Sequence, residues 1–258
     1  MVHTHQLSGA GNTFSVTWDS PEAKNITDRP KFVRAVCEAT KTDGFIFLSW
    51  LDENQHHLQW DFYNNDGSMA EMCGNATRCV AFYAKNILHI QGNHLKLQTI
   101  AGPIDIKILD KELFEVKMTA VQKFSHAKYF RCDTGVPHIV IEIPDFQDYR
   151  KYTSYCRELR FHADFLPRGT NVTLVQFDTA ANKLKAVSYE RGVEDFTDAC
   201  GTGAMAAAYY NLNMRGQNET FVEMPGGLLR MNLSDLQNPL MTGSAIQLGD
   251  YNATTTTN

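Results

Sequence analysis

The chain has 258 residues, of which 43% are hydrophobic and 21% charged, a composition typical of a globular protein with a sizeable core. Its formal net charge of -5 argues against nucleic acid or an anionic membrane surface as a partner. No apolar run approaches the length of a membrane span, and the first residues lack the basic and then apolar layout of a signal peptide, so we expect a cytoplasmic protein.

In chain order, the first half predicts a strand, a helix, two strands, a second helix and two further strands. The strand TFSVTWD leads to a helix over DRPKFVRAVCEAT, where Asp28 can cap the N-terminus and Pro30 suits the first turn. Alternating apolar residues in HLQWDFYN predict a strand that follows FIFLSWL. The second helix covers ATRCVAFYAK, and the strands HLKLQTI and IDIKIL close this half.

The second half predicts the same elements in the same order. A strand HIVIEI precedes a helix around DYRKYTSYCRELR, followed by the strands NVTLVQFD and KLKAVSYE with the turn TAAN between them. A helix over AMAAAYYNL and the strands TFVEM and LLRMNL complete the half. Because sequence identity between the halves is slight, this is a repeat of architecture, and it predicts two α/β lobes related by an approximate two-fold axis.

The repeat sets the expected domain boundaries. The N-terminal lobe covers residues 1–118, and the strand pattern SAIQLGDY within 244–252 is expected to return and complete it. The C-terminal lobe covers residues 119–243. The polar segment 253–258 lacks periodicity, so we expect a disordered tail.

Two of the six cysteines occupy equivalent places in the halves. Cys73 and Cys200 are each followed by glycine and stand directly ahead of a predicted helix. A helix N-terminus binds anions and lowers the pKa of a thiol, so the pair could hold a small carboxylate and present a sulfur to each face of its α-carbon. For the remaining cysteines, Cys37, Cys79, Cys132 and Cys156, we expect buried positions in the core.

Facing thiols suit inversion of an α-carbon. One thiolate would remove the α-proton while the opposite thiol donates a proton to the other face. We expect no cofactor, because the chain has neither a GxGxxG fingerprint nor a P-loop lysine. We also expect no metal in this site, because two cysteines without a clear third and fourth ligand make a poor zinc site.

Five segments resemble the diaminopimelate epimerase family and occur in the family's order: SGAGNTF, NNDGSMAEMCGNATRC, TGVPH, RGTNV and ERGVEDFTDACGTGA. The resemblance implies epimerisation of LL- and meso-2,6-diaminopimelate without a cofactor, and usually a homodimer. The implied fold class is α/β (α+β), with two pseudo-symmetric lobes, each a curved and mostly antiparallel sheet around a central helix. The active site would lie in the cleft between the lobes.

The resemblance also implies roles for individual residues. Cys73 and Cys200 match the catalytic pair, the first conventionally the proton donor and the second the acceptor, with roles that exchange in the reverse direction. His138 and Glu190 match residues that tune the cysteine pKa values, and Arg191 matches the group that binds the distal carboxylate. The positions that match substrate contacts are Asn12, Asn64, Gly74, Asn75, Asn171, Glu190, Arg191, Gly201 and Thr202.

Two alternatives stay open, and the first follows from departures from the family pattern. Val136 stands where the family often has asparagine, and Gly44 replaces a common glutamine, which leaves room for a related racemase acting on another amino acid such as histidine. Arg191 argues for diaminopimelate, because a monocarboxylate has no distal acid for it to bind. An alternative of another class is a thiol redox protein in which Cys73 and Cys200 form a disulfide.

Overall fold

The computed structural model describes residues 1–178 and 181–254. The chain divides into two compact units. Unit 1 comprises Met1–Val116 with Gly243–Asn258, and unit 2 comprises Lys117–Thr242. The repeat in the sequence predicts these divisions after residues 118 and 243. Two predictions concern residues outside the described ranges: part of the predicted turn TAAN, at 179–180, and most of the predicted tail, at 255–258.

Within the described residues, unit 1 contains eight strands and three helices. The strands are β1 (Val2–Gly9), β2 (Asn12–Trp18), β3 (Gly44–Asp52), β4 (His57–Asn64), β5 (His94–Thr99), β6 (Gly102–Ile108), β7 (Leu113–Lys117) and β17 (Ile246–Ala253). The helices are α1 (Pro21–Lys24), α2 (Arg29–Thr40) and α3 (Gly74–Asn86). The prediction that the tail begins at residue 253 is wrong for Ala253, which ends β17 as a buried residue.

The sheet of unit 1 runs in the order β17-β1-β2-β3-β4-β5-β6-β7. The pairs β2–β3 and β4–β5 are parallel, and the other five neighbouring pairs are antiparallel. Each parallel pair is joined through a helix, α2 in the first case and α3 in the second, as a crossover between parallel strands requires. The last strand of the chain therefore pairs with the first.

The part of unit 2 that the structure describes contains nine strands and two α-helices. The strands are β8 (Gln122–Phe124), β9 (Phe130–Asp133), β10 (Pro137–Glu142), β11 (Asn171–Asp178), β12 (Lys183–Tyr189), β13 (Phe196–Thr197), β14 (Glu219–Met224), β15 (Gly227–Asn232) and β16 (Leu240–Ser244). The helices are α4 (Thr153–Arg160) and α5 (Gly201–Arg215), with 3₁₀ turns at Tyr149–Tyr152 and Ala163–Phe165. The helix predicted from residue 148 thus begins as a 3₁₀ turn and becomes α-helical at Thr153.

The sheet of unit 2 repeats the alternation of unit 1. Its order is β8-β9-β10-β11-β12-β14-β15-β16, with β10–β11 and β12–β14 parallel and the other pairs antiparallel. The crossover helices α4 and α5 occupy the places that α2 and α3 occupy in unit 1. The mixed, mostly antiparallel fold with the same element order in both halves confirms the predicted fold class.

One helix in each unit is central. Every residue of α3 from 74 to 84 is buried, and the helix packs against β1, β2 and β6. The middle of α5 is buried in the same way and packs against β10, β11, β12, β14 and β15. A helix that is buried on all sides is held by its surroundings rather than by an amphipathic stripe, so its first turn is fixed in place.

Local signals in the sequence account for the start of α2. The Asp28 carboxylate accepts a hydrogen bond from the backbone N–H of Lys31 at 2.9 Å, and Pro30 lies in the first turn. Both predictions for this helix are confirmed. Across the described residues, none of the helices is long and apolar enough to cross a membrane.

Candidate active site

Cys73 is the N-cap residue of the central helix of unit 1. Its backbone is extended (φ -147°, ψ 123°), and its carbonyl accepts the first intrahelical bond, from the N–H of Thr77 at 2.9 Å. The amides of Gly74 and Asn75 precede that bond, so helix geometry leaves them directed out of the helix end beside the thiol. The structure thus places three of the predicted site residues together, and Cys73 is half-buried.

Asn12 lies against this cysteine. Its side-chain oxygen accepts hydrogen bonds from the Cys73 thiol, at 3.6 Å, and from the Asn75 amide, at 3.4 Å. Its amide nitrogen donates to Asp43 Oδ2 at 2.9 Å, which fixes the orientation of the side chain. The approach is close because Gly9 lies against Asn75: a Cβ atom at Gly9 would come within 2.7 Å of the Asn75 carbonyl oxygen. Asn12 therefore serves as a partner of the thiol as well as a candidate substrate contact.

Arg78 is a functional candidate that the sequence analysis missed. Its side chain is fully buried one helical turn beyond Cys73, and its guanidinium donates to the Asn75 side-chain oxygen at 2.9 Å. It also donates to the carbonyls of Gly74, at 3.4 Å, and Ser244, at 3.2 Å. Arg78 therefore orients the residue that bonds Asn12 and ties the start of α3 to the segment that enters β17. The only signal in the sequence was a charged residue inside a helix of small and apolar residues.

Asn64 ends β4, in the loop that leads to Cys73. Its side chain is exposed and its amide donates to the hydroxyl of Ser68 at 3.0 Å. The backbone N–H of Asn64 also bonds the Ser68 carbonyl at 2.8 Å, so the loop closes on itself. The structure thus gives Asn64 a role in shaping this loop, and its contact with a substrate stays a prediction.

Cys200 occupies in unit 2 the place that Cys73 occupies in unit 1. It is the N-cap residue of α5, with extended backbone (φ -134°, ψ 103°), and its carbonyl accepts from the N–H of Ala204 at 2.9 Å. Its sulfur accepts from the N–H of Gly203 at 3.3 Å. The amides of Gly201 and Thr202 precede the first helical bond and face the same end. Gly203 leaves room for Ser188, because a Cβ atom at 203 would lie 2.0 Å from Ser188 Oγ.

A ring of hydrogen bonds connects Cys200 to His138. Thr202 Oγ1 lies 3.4 Å from the Cys200 sulfur and 3.1 Å from His138 Nε2. The Asn171 amide donates to the same Nε2 at 3.4 Å, so Nδ1 carries the proton and donates to Thr173 Oγ1 at 2.9 Å. Burial, and to a lesser extent the charge of Arg191, lowers the pKa of His138 to about 3, so the ring is neutral at pH 7.

Thr173 and Ser188 complete the ring of hydrogen bonds between His138 and the Cys200 sulfur. Thr173 Oγ1 lies 3.0 Å from Ser188 Oγ, and Ser188 also bonds the Cys200 thiol. Neither Thr173 nor Ser188 was predicted as a site residue, because each lies on a strand that is remote from Cys200 in sequence. Both are fully buried, so the thiol is surrounded by hydroxyl groups that can relay a proton.

The expectation of a lowered thiol pKa is wrong for Cys200. Burial raises its pKa, and the negative charge of Glu190 raises it further, while the bonds from Thr202, Gly203 and Ser188 act in the opposite direction. Burial also raises the pKa of Glu190, which accepts hydrogen bonds from the Thr197 hydroxyl and from Cys200. The helix N-terminus is therefore outweighed by desolvation and by a neighbouring acid, and Cys200 is protonated at neutral pH.

Asn171 and Arg191 are joined to the same cluster. The Asn171 side-chain oxygen accepts from the backbone N–H of Arg191 at 2.8 Å. The guanidinium of Arg191 is exposed and donates to the carbonyl of Arg168 at 2.7 Å. The backbone of Arg191 is thus fixed near His138, while its charged end reaches solvent, where it can bind a carboxylate.

The other four cysteines have the buried positions that were predicted. Burial raises the pKa of Cys132 and Cys156 to about 12, and it raises the pKa of Cys37 and Cys79 as well. Their thiols are unreactive core groups.

A family model described as diaminopimelate epimerase matches residues 6–124 and, a second time, residues 130–248. The chain is 33% identical over 267 residues to a diaminopimelate epimerase of Aquifex aeolicus, covering 94% of both chains. It is 34% identical over 224 residues to a diaminopimelate epimerase of Hydrogenobaculum, covering 80% of this chain and 79% of that one.

Solved structures share the fold at low sequence identity. A phenazine biosynthesis protein of the PhzF family from Enterococcus faecalis matches with a TM-score of 0.73 and 13% identity, over 98% of this chain and 99% of the other. A hydroxyproline epimerase from Agrobacterium vitis, with bound trans-4-hydroxy-L-proline, matches with a TM-score of 0.68 and 14% identity, over 97% and 91%. At this level of identity, the likeness describes the fold alone.

Proposed function

The chain belongs to the diaminopimelate epimerase family, and from that premise we propose that it interconverts LL- and meso-2,6-diaminopimelate, in lysine and peptidoglycan-precursor biosynthesis. The observation that carries the proposal is that each unit has a cysteine as the N-cap residue of its central buried helix. The reaction needs one thiol at each face of the substrate's α-carbon, and the chain supplies one from each half.

The reaction removes one proton from the α-carbon and adds another proton to the opposite face of the same carbon. A thiolate removes the α-proton, so the C–H bond breaks, an S–H bond forms and the electron pair spreads into the carboxylate. The other thiol then gives its proton to the opposite face, and the sulfur that loses it becomes a thiolate. The configuration at the α-carbon is inverted, and atoms and charge balance with no cofactor. The reverse reaction exchanges the roles of the two cysteines.

Backbone amides are proposed to hold the α-carboxylate. Those of Gly74 and Asn75 at α3, and of Gly201 and Thr202 at α5, lie in the first turns beside the two sulfurs. As the α-proton leaves, negative charge grows on the carboxylate oxygens, and fixed N–H groups stabilise it more than they stabilise the bound substrate.

The environment of Cys200 supports its role as the donor at the start of one direction. Burial and the Glu190 carboxylate keep the proton on its sulfur, and Thr202 and Ser188 accept and pass on hydrogen bonds around it. Cys73 takes the α-proton in that direction, after its thiol has lost the proton that it donates to the Asn12 side-chain oxygen. His138 and Glu190 act through Cys200, as groups that adjust its pKa.

Arg191 is proposed to bind the distal carboxylate, since its guanidinium is exposed and its backbone is fixed by Asn171. A guanidinium forks onto a carboxylate with two hydrogen bonds and stays charged at neutral pH. Asn12, Asn64 and Asn171 are proposed to bind the polar groups of the substrate. A substrate with a single carboxylate would leave Arg191 unused, and this supports diaminopimelate over a monocarboxylic amino acid.

The test is incorporation of deuterium from D₂O at the α-carbon of LL-diaminopimelate, for the wild-type protein and for Cys73→Ser and Cys200→Ser. We expect exchange with inversion in the wild type and severe loss in both variants. Exchange on another amino acid but not on diaminopimelate would support the two-thiol mechanism and exclude diaminopimelate as the substrate. Full activity after air oxidation that links the two cysteines would contradict the two-thiol mechanism and favour a redox role.

We propose further that the protein works in the cytoplasm as a homodimer. Strand β17 supports the dimer, because Ile246, Leu248 and Tyr251 are 41%, 55% and 37% exposed on a strand whose one partner among the described residues is β1. Light scattering of the purified protein would test it: a mass of one chain across a wide concentration range would exclude a stable dimer.

A further inference from the structure

Two histidines and an aspartate meet at the surface of unit 1, on strands β1 and β17. His3 and His5 lie on the same side of β1, because side chains two residues apart in a strand share a face. Asp250 on β17 stands directly opposite His5 in the antiparallel register. One ligand atom from each of the three residues lies within 4.8 Å of the other two.

The distances suit a small tetrahedral ion. Asp250 Oδ1 lies 2.7 Å from His5 Nδ1 and 3.8 Å from His3 Nε2. Two ligands of a tetrahedral zinc ion, each bound at 2.0–2.1 Å, lie about 3.3 Å apart. Small rotations of the exposed Asp250 carboxylate and the His3 ring would bring both distances to that value, because neither side chain is enclosed: they are 49% and 51% exposed.

Neighbouring groups already orient the ligand atoms. Nδ1 of His3 donates to the side-chain oxygen of Asn252 at 2.9 Å, which leaves the lone pair of Nε2 free to bind a metal. Histidine ligands of metals in proteins are held in this way by a second hydrogen bond. Gln247 Nε2 donates to Asp250 Oδ1 at 2.9 Å and lies 3.3 Å from His5 Nδ1, so this exposed amide must turn aside when an ion binds the two atoms. The rings of His3 and His5 are perpendicular, with centroids 4.7 Å apart, so the two imidazoles approach one point from different directions.

We propose that His3, His5 and Asp250 form a binding site for a divalent transition-metal ion of the zinc class. Two imidazoles and one carboxylate select such ions over magnesium and calcium, which prefer oxygen ligands alone. The three side chains leave one tetrahedral position for water. The ion joins the first strand of unit 1 to the last, so it stabilises the ends of the sheet against fraying.

Neither local pattern nor spacing in the sequence identifies this site. His3 and His5 form an H-x-H pair, but Asp250 follows them by more than two hundred residues. Only the pairing of β1 with β17 brings the three together, and that pairing depends on the return of the chain from unit 2.

The test is calorimetric titration of tag-free, chelator-treated protein with Zn²⁺, and a cobalt absorption spectrum of the same sample. Both are measured in a Cys73→Ser/Cys200→Ser background, so that these two thiols cannot bind the ion. We expect about one ion per chain, a cobalt spectrum with visible d–d bands and no thiolate charge-transfer band, and a rise in the unfolding temperature with added zinc. Mg²⁺ should produce none of these changes.

Variants decide whether these three residues are the ligands. His5→Ala and Asp250→Asn should each weaken zinc binding at least about tenfold, while His94→Gln, an exposed histidine on β5, should leave it unchanged. Asparagine has nearly the same shape as aspartate, so we expect Asp250→Asn to fold. If His5→Ala does not fold, zinc binding by Asp250→Asn decides the question. Zinc binding that survives both changes, or no binding in the background protein, would overturn the proposal.

Discussion

Thr202 Oγ1 lies 3.4 Å from the sulfur of Cys200, and the same hydroxyl reaches His138 Nε2 at 3.1 Å. A single hydroxyl therefore connects the candidate acid to a neutral imidazole. A hydroxyl can accept one hydrogen bond while it donates another, so Thr202 can adjust to either protonation state of the sulfur.

Removal of that hydroxyl should slow the reaction while the fold is kept. We expect Thr202→Val to lower the rate of α-deuterium incorporation about 100-fold, the scale of a lost proton-transfer partner. Thr202→Ser, which keeps the hydroxyl, should lose far less. Equal losses in the two variants, with equal unfolding temperatures, would show that the methyl group rather than the hydroxyl matters.

Neutralising Glu190 should make Cys200 easier to deprotonate. The negative charge of Glu190 raises the pKa of the Cys200 thiol, second only to burial, so Glu190→Gln should lower that pKa and increase the thiolate fraction at any given pH. The check is the pH dependence of alkylation by iodoacetamide in a Cys73→Ser background. Its curve should move to lower pH in Glu190→Gln and stay in place in Glu190→Asp. A shift to higher pH would contradict the assignment.

His138 should make the protein sensitive to acid. The pKa of His138 in the folded protein is about 3, below its ordinary value of 6.5. Between these two pH values the unfolded chain binds a proton at His138 and the folded protein does not. The stability that results is fully present above pH 6.5 and is lost as the pH falls toward 3. Between pH 7 and pH 4, the free energy of unfolding should fall by about 3 kcal/mol on this account.

The measurement is urea unfolding of the wild type and of His138→Gln at several pH values. The variant should be less stable at pH 7, because it loses the bonds to Thr202 and Thr173, and should lose less stability on acidification. His94→Gln, which changes an exposed histidine, should follow the wild type. Parallel pH profiles for wild type and His138→Gln would rule out His138 as the source of the acid sensitivity.

Elements with clear periodicity were predictable, whereas β1 was not. The sequence VHTHQLSG shows no simple alternation of apolar and polar residues, because the buried face of the strand carries Thr4 and Gln6 after Val2. Those polar groups are buried at low cost because each has a partner: the Thr4 hydroxyl donates to the Tyr251 carbonyl at 3.0 Å, and Gln6 donates to Thr4. The partner of Thr4 lies on β17, so the local sequence of β1 could not indicate it.

Some residues of the candidate site could also be predicted from the sequence, and others could not. Cys73 and Cys200 could be found because each stands beside a glycine at a helix start, a local pattern that occurs twice. Thr173 and Ser188 could not, because an ordinary strand serine or threonine becomes a partner of the thiol only through the sheet register. The raised pKa of Cys200 was missed for a related reason: the sequence indicated the helix N-terminus but not the depth of burial that outweighs it.

Gly203 should not tolerate a side chain. A Cβ atom there would lie 2.0 Å from Ser188 Oγ and 3.2 Å from the Cys200 sulfur, so Gly203→Ala must displace Ser188. We expect a loss of about 2 kcal/mol in the free energy of unfolding, as for other overpacked sites, together with loss of exchange activity. Gly249→Ala is the matched control, because a Cβ atom at 249 has nothing within 4 Å. Urea unfolding measures both, and an unaffected Gly203→Ala protein would mean that Ser188 does not approach α5 this closely.

Arg78 should matter for both stability and activity, because it connects the first turn of α3 to the residues around Cys73. Arg78→Met fills similar space but leaves the Asn75 side-chain oxygen and the Gly74 and Ser244 carbonyls without their buried donor. We expect a cost of about 3 kcal/mol in the free energy of unfolding. Asn75 would no longer be held toward Asn12, so deuterium exchange should fall as well.

The control for Arg78 is Arg34→Met on α2, where the arginine is exposed and donates to the carbonyl of Asp66 at 3.2 Å. That change should alter the free energy of unfolding by no more than about 0.5 kcal/mol, since solvent replaces the lost bond. Exchange should be measured well below the unfolding temperature of each variant, so that a loss in Arg78→Met reports the geometry around Cys73 rather than unfolded protein. If Arg78→Met were as stable and as active as Arg34→Met, the bond from Arg78 to Asn75 would not be what positions Asn12 against the Cys73 thiol.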